Sequence, residues 1–167
     1  MKKIITLATV IALGSGVALA QDERSAQFID MGGEQSGTAT LTSTAQGVLI
    51  DLEVSGLPAG EWVAFHVHET GNCDDTTDHE SAGGHFNPSD VDHGYLAENG
   101  PHAGDMPNQY VGEDGVLRAQ VFNAMVTLDE GDAGIVGRSL MIHGGTDDYE
   151  SQPAGDAGDR FACAVIE

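Results

Sequence analysis

Residue types alternate along the segment Glu61-Trp62-Val63-Ala64-Phe65-His66-Val67-His68. Successive side chains of a β-strand point to opposite faces of a sheet, so residues two apart share a face. One face of this strand therefore carries Val63, Phe65 and Val67. We expect these apolar side chains to enter a core, which places His66 and His68 outside it.

Similar strand signals occur on both sides of this segment. Short alternating or β-branched runs predict further strands at residues 26–30, 38–44, 47–55, 109–112, 116–122, 139–143 and 160–166. The sequence contains neither an amphipathic helical pattern of useful length nor an internal repeat. About eight short strands of this kind predict an all-β antiparallel sandwich or barrel.

Two polar stretches interrupt the strands. Residues 69–108 and 144–159 are rich in Gly, Asp and other polar residues, and the first stretch is unusually long. Segments of that length without secondary structure are usually functional or disordered. In the strand at 139–143, Leu140 and Ile142 should enter the core, which leaves His143 outside it. We therefore expect the two loops to cover the histidines on the outer wall of the barrel.

Six of the seven histidines follow an ordered pattern between residues 66 and 143. The members of the pattern are His66, His68, His85 in Gly84-His85-Phe86-Asn87-Pro88, His93, His102 and His143, with Asp105 close to His102. Neutral imidazole is the commonest metal ligand in proteins, and imidazole with carboxylate suits zinc and copper. Six histidines and one aspartate are enough ligands for two metal ions.

The first 20 residues have the features of a secretory signal peptide. Two lysines precede an apolar run at residues 4–13, and Ala18-Leu19-Ala20 forms an Ala-x-Ala cleavage site. The apolar run is short for a membrane span, which disfavours the alternative of a retained anchor. We expect cleavage before Gln21, so that residues 21–167 form one exported domain without a membrane partner.

The chain contains two cysteines, Cys73 and Cys163. In an oxidising compartment a lone pair most simply forms one disulfide, and two free thiols are the alternative. The disulfide would tie the long loop to the last strand. A bond that closes a loop of this length stabilises the fold by roughly 4 to 5 kcal/mol in the chain-entropy treatment.

The chain is strongly acidic, with 27 acidic residues against six basic ones. Both lysines lie in the predicted signal peptide, so the exported domain would keep only four arginines. Such a surface makes nucleic acids and anionic membranes poor partners.

Several segments in this order resemble copper/zinc superoxide dismutases over nearly the whole exported domain. They are Phe65-His66-Val67-His68-Glu69, Gly84-His85-Phe86-Asn87-Pro88, His102-Ala103-Gly104-Asp105 and Gly158-Asp159-Arg160-Phe161-Ala162-Cys163. The segment Asp147-Asp148-Tyr149-Glu150-Ser151-Gln152-Pro153 is similar to the bacterial periplasmic branch. The resemblance implies an eight-stranded antiparallel Greek-key barrel, an immunoglobulin-like sandwich with two long functional loops. It also implies a periplasmic location.

The resemblance further implies a two-metal site. Copper would be held by His66, His68, His85 and His143, and zinc by His85, His93, His102 and Asp105, with His85 bridging the two metals. Asp147 would hydrogen-bond one ligand of each metal and fix its orientation.

The implied activity is the antioxidant dismutation of superoxide to dioxygen and hydrogen peroxide, with copper and zinc as cofactors. Arg160 would attract and orient superoxide, and His85 would give a proton to the product. The family includes monomers and homodimers, and both remain open for this chain.

Other functions compete with this one. A secreted copper and zinc carrier would also need the histidines, but not Arg160 beside the metal. A copper-only relative would not need the zinc ligands, all of which are present. A purely structural role is disfavoured because no ligand position is missing. His79 matches no ligand position, and we expect it to be a solvated loop residue.

Overall fold

The computed structural model describes residues 22–167, and the signal-peptide prediction for residues 1–20 lies outside this range. The described residues form nine β-strands and two short 3-10 helices. The strands are β1 (Glu23–Asp30), β2 (Gln35–Thr44), β3 (Gly47–Ser55), β4 (Trp62–Val63), β5 (Phe65–His68), β6 (Gln109–Tyr110), β7 (Val116–Asn123), β8 (Ser139–His143) and β9 (Arg160–Ile166). The 3-10 helices span Asp75–Thr77 and Glu80–Ala82.

Seven strands form one antiparallel sheet in the order β5-β8-β9-β1-β2-β3-β7, and β4 pairs with β6 in a second sheet. Because β4 continues into β5 after one residue and β6 contacts β7, the small sheet lies between the two edge strands of the large one. The connections from β3 to β4 (residues 56–61) and from β7 to β8 (residues 124–138) join strands that are not neighbours in a sheet, which gives the crossings of a Greek-key barrel. The all-β antiparallel prediction is confirmed.

The structure has nine strands where the sequence predicts eight because the segment 61–68 is divided at Ala64. The Ala64 N–H donates to the Gly145 carbonyl (2.8 Å), and the Ala64 carbonyl accepts from the His143 N–H (3.0 Å). The strand therefore changes partners at this residue, from β6 to β8. The prediction of one continuous strand is wrong at this point.

The apolar core fills the interior of the barrel, as the alternation predicts. Phe65, Val67, Leu140 and Ile142 are all fully buried members of the core. Met141, between the last two, lies on the outer wall in a separate small cluster with buried Ala82 and Cys163. The predicted facing of both strands is confirmed, and the loop that carries Ala82 covers the outer wall.

The disulfide joins the long loop to β9. Cys73 and Cys163 are bonded, with 5.6 Å between their Cα atoms and 90 residues between them in sequence. The bond holds the two 3-10 helices beside the start of β9, where Arg160 lies. None of the helices within residues 22–167 has the length and apolar character needed to cross a membrane.

Candidate metal centre

The structure brings all seven predicted ligands together as two groups of possible metal ligands among the described residues. The first group is His66, His68, His85 and His143, and the second is His85, His93, His102 and Asp105. Within each group the ligand atoms all lie within 4.8 Å of one another, and every member is buried. His85 belongs to both groups, as the bridging prediction requires.

Strand geometry and one local irregularity position the first group. His66 and His68 lie on β5 and point away from the core, and His143 ends the neighbouring strand β8. The pairing of β8 with β9 shifts register between Ile142 and His143, so that His143 lies opposite Arg160. Bulges of this kind re-aim a side chain beside an active site.

His66, His68 and His143 lie on strands. In each of them, the ring N–H that points away from the centre of the group faces an oxygen atom. The His66 Nε2–H donates to Asp147 Oδ2 (2.8 Å), and the His68 Nδ1–H donates to the Gly83 carbonyl (2.9 Å). The His143 Nδ1–H points to the Gly158 carbonyl (3.3 Å). These bonds fix the tautomer, so that the opposite ring nitrogen of each histidine presents a lone pair to the centre of the group.

The inward nitrogens fit a bound cation. Within residues 22–167, no hydrogen-bond partner is found for the buried His66 Nδ1, His85 Nε2 and His102 Nδ1 atoms. The Nε2 atoms of His68 and His143 face each other at 3.4 Å. In the tautomers described above, neither atom carries a proton, so they cannot form a hydrogen bond with each other. Buried polar atoms without partners are unfavourable, and one metal ion in each group would satisfy all of them.

Asp105 organises the second group. Its carboxylate lies 2.9 Å from His85 Nδ1, 3.1 Å from His93 Nδ1 and 3.4 Å from His102 Nδ1. It also accepts hydrogen bonds from the backbone N–H groups of Gly94 and His102, both at 2.9 Å. Three imidazoles and one carboxylate form the four-coordinate set that zinc favours.

Burial and nearby charges set different protonation states for different histidines of the two groups. Burial lowers the pKa of His85 to about 4 and that of His143 to about 3, so both rings are neutral near pH 7. Burial also lowers the pKa of His68. Burial alone would lower the pKa of His93 too, but its hydrogen bonds with Asp105 and Asp147 outweigh burial and raise it to about 9.

Asp147 links the two groups. One oxygen of its carboxylate accepts from His66 Nε2 (2.8 Å), and the other lies 3.0 Å from His93 Nε2. Burial would raise the pKa of Asp147, but these two hydrogen bonds outweigh burial and lower it. The carboxylate therefore contacts one member of each group, which is the arrangement that the family resemblance implies.

Arg160 lies beside the first group and is held by the disulfide loop. Its Nη1–H donates to the His79 carbonyl (2.9 Å), and its Nη2 lies 3.4 Å from the Glu80 carboxylate. The Arg160 side chain is 16% exposed, so part of the guanidinium faces solvent. A cleft lined by His68, His85, His143 and Arg160 leads from the surface to this group.

The solvated position expected for His79 is wrong. Its side chain is fully buried, and its backbone is left-handed with φ of 59°. The residue precedes the helix Glu80–Ala82, and its carbonyl holds Arg160. Composition marks this stretch as a polar loop, and no local pattern in the sequence reveals that His79 is buried within it.

Two positioning side chains were missed by the sequence reasoning. Asn108 makes two hydrogen bonds with the backbone of Asp147. Its Nδ2–H donates to the Asp147 carbonyl (2.8 Å), and its Oδ1 accepts from the Asp147 N–H (2.9 Å). Gln152 makes the same kind of two-point contact with the backbone of His93. A lone amide side chain in a polar loop carries no signal that separates such a contact from simple solvation.

Comparison with known proteins gives one consistent family. Residues 35–166 match the family described as Copper/zinc superoxide dismutase (SODC). Superoxide dismutase (Cu-Zn) 1 of Aquifex aeolicus (strain VF5) is 49% identical over 146 residues, which cover 85% of this chain and 86% of the relative. Superoxide dismutase (Cu-Zn) 2 of the same organism is 46% identical over 171 residues, which cover 99% of each chain.

Solved structures agree with the sequence comparison. The crystal structure of a SOD-like protein from Bacillus subtilis matches with a TM-score of 0.83 and 31% identity, over 89% of this chain and all of that one (100%). The Greek-key barrel prediction is thereby confirmed, and copper and zinc are the metals of the matching family. The chain belongs to the copper/zinc superoxide dismutase family.

Proposed function

We propose that this chain dismutates superoxide at the first group of histidines and holds zinc at the second. Copper would be bound by His66, His68, His85 and His143, and zinc by His85, His93, His102 and Asp105. The observation that carries the proposal is the shared His85, whose two ring nitrogens face the two groups.

When bound, copper supplies the one-electron exchange by which two superoxide anions and two protons become one dioxygen and one hydrogen peroxide. The protein supplies the approach, the orientation and the protons. The guanidinium of Arg160 borders the cleft and attracts the anion toward the ligand histidines. His79 fixes the guanidinium through its carbonyl, so that less reorganisation is needed when the anion arrives.

His85 is the residue best placed to hold a proton near the product. The residue lines the cleft, its Nε2 atom is buried, and no partner for that atom is found among the described residues. Its Nδ1 atom is held by Asp105 at 2.9 Å, so the ring keeps its orientation when Nε2 gains or loses a proton. Asp147 restrains His66 and His93 in the same way.

A superoxide competition assay tests the activity. The protein reconstituted with copper and zinc should remove superoxide, and removal of the metals with a chelator should abolish this activity. Arg160→Ala should lower the rate while both metals stay bound. A protein that binds both metals without removing superoxide would instead be a metal carrier.

We further propose that residues 1–20 are a cleaved signal peptide and that residues 21–167 act in the periplasm. The support is the charged and apolar pattern of the leader, together with a disulfide, which suits an oxidising compartment. Mass spectrometry of the exported protein should give a chain that starts at Gln21. An intact leader on the active protein would contradict this division.

A further inference from the structure

The side chain of Gln152 forms a two-point clasp on the backbone of His93. Its Oε1 accepts from the His93 N–H at 2.8 Å, and its Nε2–H donates to the His93 carbonyl at 2.9 Å. The same Nε2 also donates to the Glu150 carbonyl at 2.9 Å. All polar atoms of this amide are therefore used within the protein, although the residue lies at the surface.

The clasp joins two parts of the site with different tasks. His93 belongs to the zinc group, where its side chain contacts both Asp105 and Asp147. Pro153 and Ala154, which directly follow Gln152, line the cleft beside His143. We refer to residues 152–157 as the cleft wall.

The cleft wall also lies directly on the side chains of the zinc group. Gly155 has φ of 69°, and a Cβ atom there would collide with the Asp147 carboxylate and with the His93 ring. The backbone of the cleft wall therefore lies in direct contact with the hydrogen-bonded side chains of Asp147 and His93. Movement of His93 would be transmitted to the wall through this contact and through Gln152.

We propose that Gln152 is a positioning residue that couples zinc binding to the shape of the substrate cleft. Zinc fixes His93, the His93 backbone fixes Gln152, and Gln152 fixes the wall that borders His143. Coupling of this kind is reciprocal, so loss of the clasp weakens zinc binding as well as loosening the wall. The inference rests on the assignment of zinc to the second group under the proposed function.

The first test measures zinc retention. The copper- and zinc-loaded protein is equilibrated with increasing amounts of a zinc chelator, and retained zinc and copper are measured by elemental analysis. Gln152→Ala should lose zinc at roughly tenfold lower chelator concentration than the unmodified protein, within the range for partners that support metal ligands. Copper retention should not change. Gln152→Glu keeps the acceptor but loses the donor, and should fall between the two.

The matched control is Gln120→Ala. Gln120 lies on β7, and its side-chain amide donates a hydrogen bond to the exposed carboxylate of Asp51 on the neighbouring strand. This variant removes the same side chain from the barrel surface and should retain zinc like the unmodified protein.

The second test is hydrogen exchange of the cleft wall with and without zinc. In the unmodified protein, zinc removal should speed the exchange of residues 154–157. In Gln152→Ala, exchange there should already be fast with zinc bound, and zinc removal should add little. Unchanged zinc retention, or faster exchange that extends equally to the barrel strands, would overturn the proposal. If the unmodified protein retains no zinc that depends on Asp105, the zinc assignment itself fails and the proposal falls with it.

Discussion

Glu80 should slow the approach of superoxide, and its removal should speed the reaction. Its carboxylate lies 3.4 Å from Arg160 Nη2, and its side chain is 72% exposed. The carboxylate therefore offsets part of the positive charge that faces the cleft. Glu80→Gln removes this charge and keeps the size of the side chain. The bond from Arg160 to the His79 carbonyl remains and keeps the guanidinium in place.

The expected size of the effect follows from Coulomb's law. A superoxide anion on the open side of the guanidinium would lie about 7 Å from the Glu80 carboxylate, where two unit charges in water repel by about 0.6 kcal/mol. At low ionic strength most of this repulsion persists, which corresponds to a roughly twofold change in rate. At physiological ionic strength, with a screening length of about 8 Å, the change falls to roughly 1.5-fold.

The assay is kcat/KM for superoxide, measured by pulse radiolysis from low to high salt. Glu80→Gln should exceed the unmodified enzyme most at low salt, and the two should converge as salt rises. Glu53→Gln is the control, because Glu53 also pairs with an arginine, Arg118 at 3.6 Å, but lies on the barrel strand β3. A Glu80→Gln enzyme that is slower than the unmodified one at low salt would refute the reasoning.

The same electrostatic argument predicts how the rate of the unmodified enzyme depends on salt. Around the cleft, the exposed carboxylates of Asp78, Glu80, Asp156 and Asp159 surround one cation, Arg160. Salt screens the outer carboxylates more than the partly buried centre. The rate should therefore rise or stay level as salt increases. A steep fall would mean that long-range attraction dominates.

Three further predictions concern the metals and the disulfide. His143→Ala should remove copper and activity but leave zinc, and elemental analysis would check this; full activity would contradict the copper assignment. Asp105→Ala should release zinc and destabilise the long loop more than the barrel, since two backbone N–H groups also lose their acceptor; unchanged zinc content would contradict it. Replacing Cys73 and Cys163 by Ser should lower the free energy of unfolding by about 4 kcal/mol in denaturant titrations, and the denatured, unreduced parent should show no free thiol.

The sequence predicted the strands and the facing of the histidines because both follow from a period of two, whereas the Greek-key barrel was implied by the family resemblance. Once Phe65 and Val67 are assigned to the core, His66 and His68 must point away from it, to the outer wall. The same rule places His143 outside the core on β8. The division of strand 61–68 at Ala64 was not predictable in this way, because the residue types alternate without a break while the hydrogen-bond partners change.

The loops have no such period, and the contacts that the sequence did not predict lie in them. His79 has polar neighbours in sequence, yet it is buried, in a loop that a disulfide ties to the last strand of the barrel. The clasp of Gln152 joins residues 59 apart in the chain. Contacts of that range depend on the folded arrangement of both loops, and a single sequence gives no local sign of them.

The placement of the two groups of possible metal ligands on the outer wall affects which part of the fold a metal would stabilise. The barrel interior is filled by apolar side chains and needs no metal to satisfy its atoms. The long loop, in contrast, is held by a disulfide and by buried histidines whose inward nitrogens lack partners among residues 22–167. Metal binding therefore adds its free energy mainly where the loops cover the outer wall of the barrel, because there it satisfies buried polar atoms. Heat or denaturant applied to the metal-free protein should loosen the cleft before the strands separate.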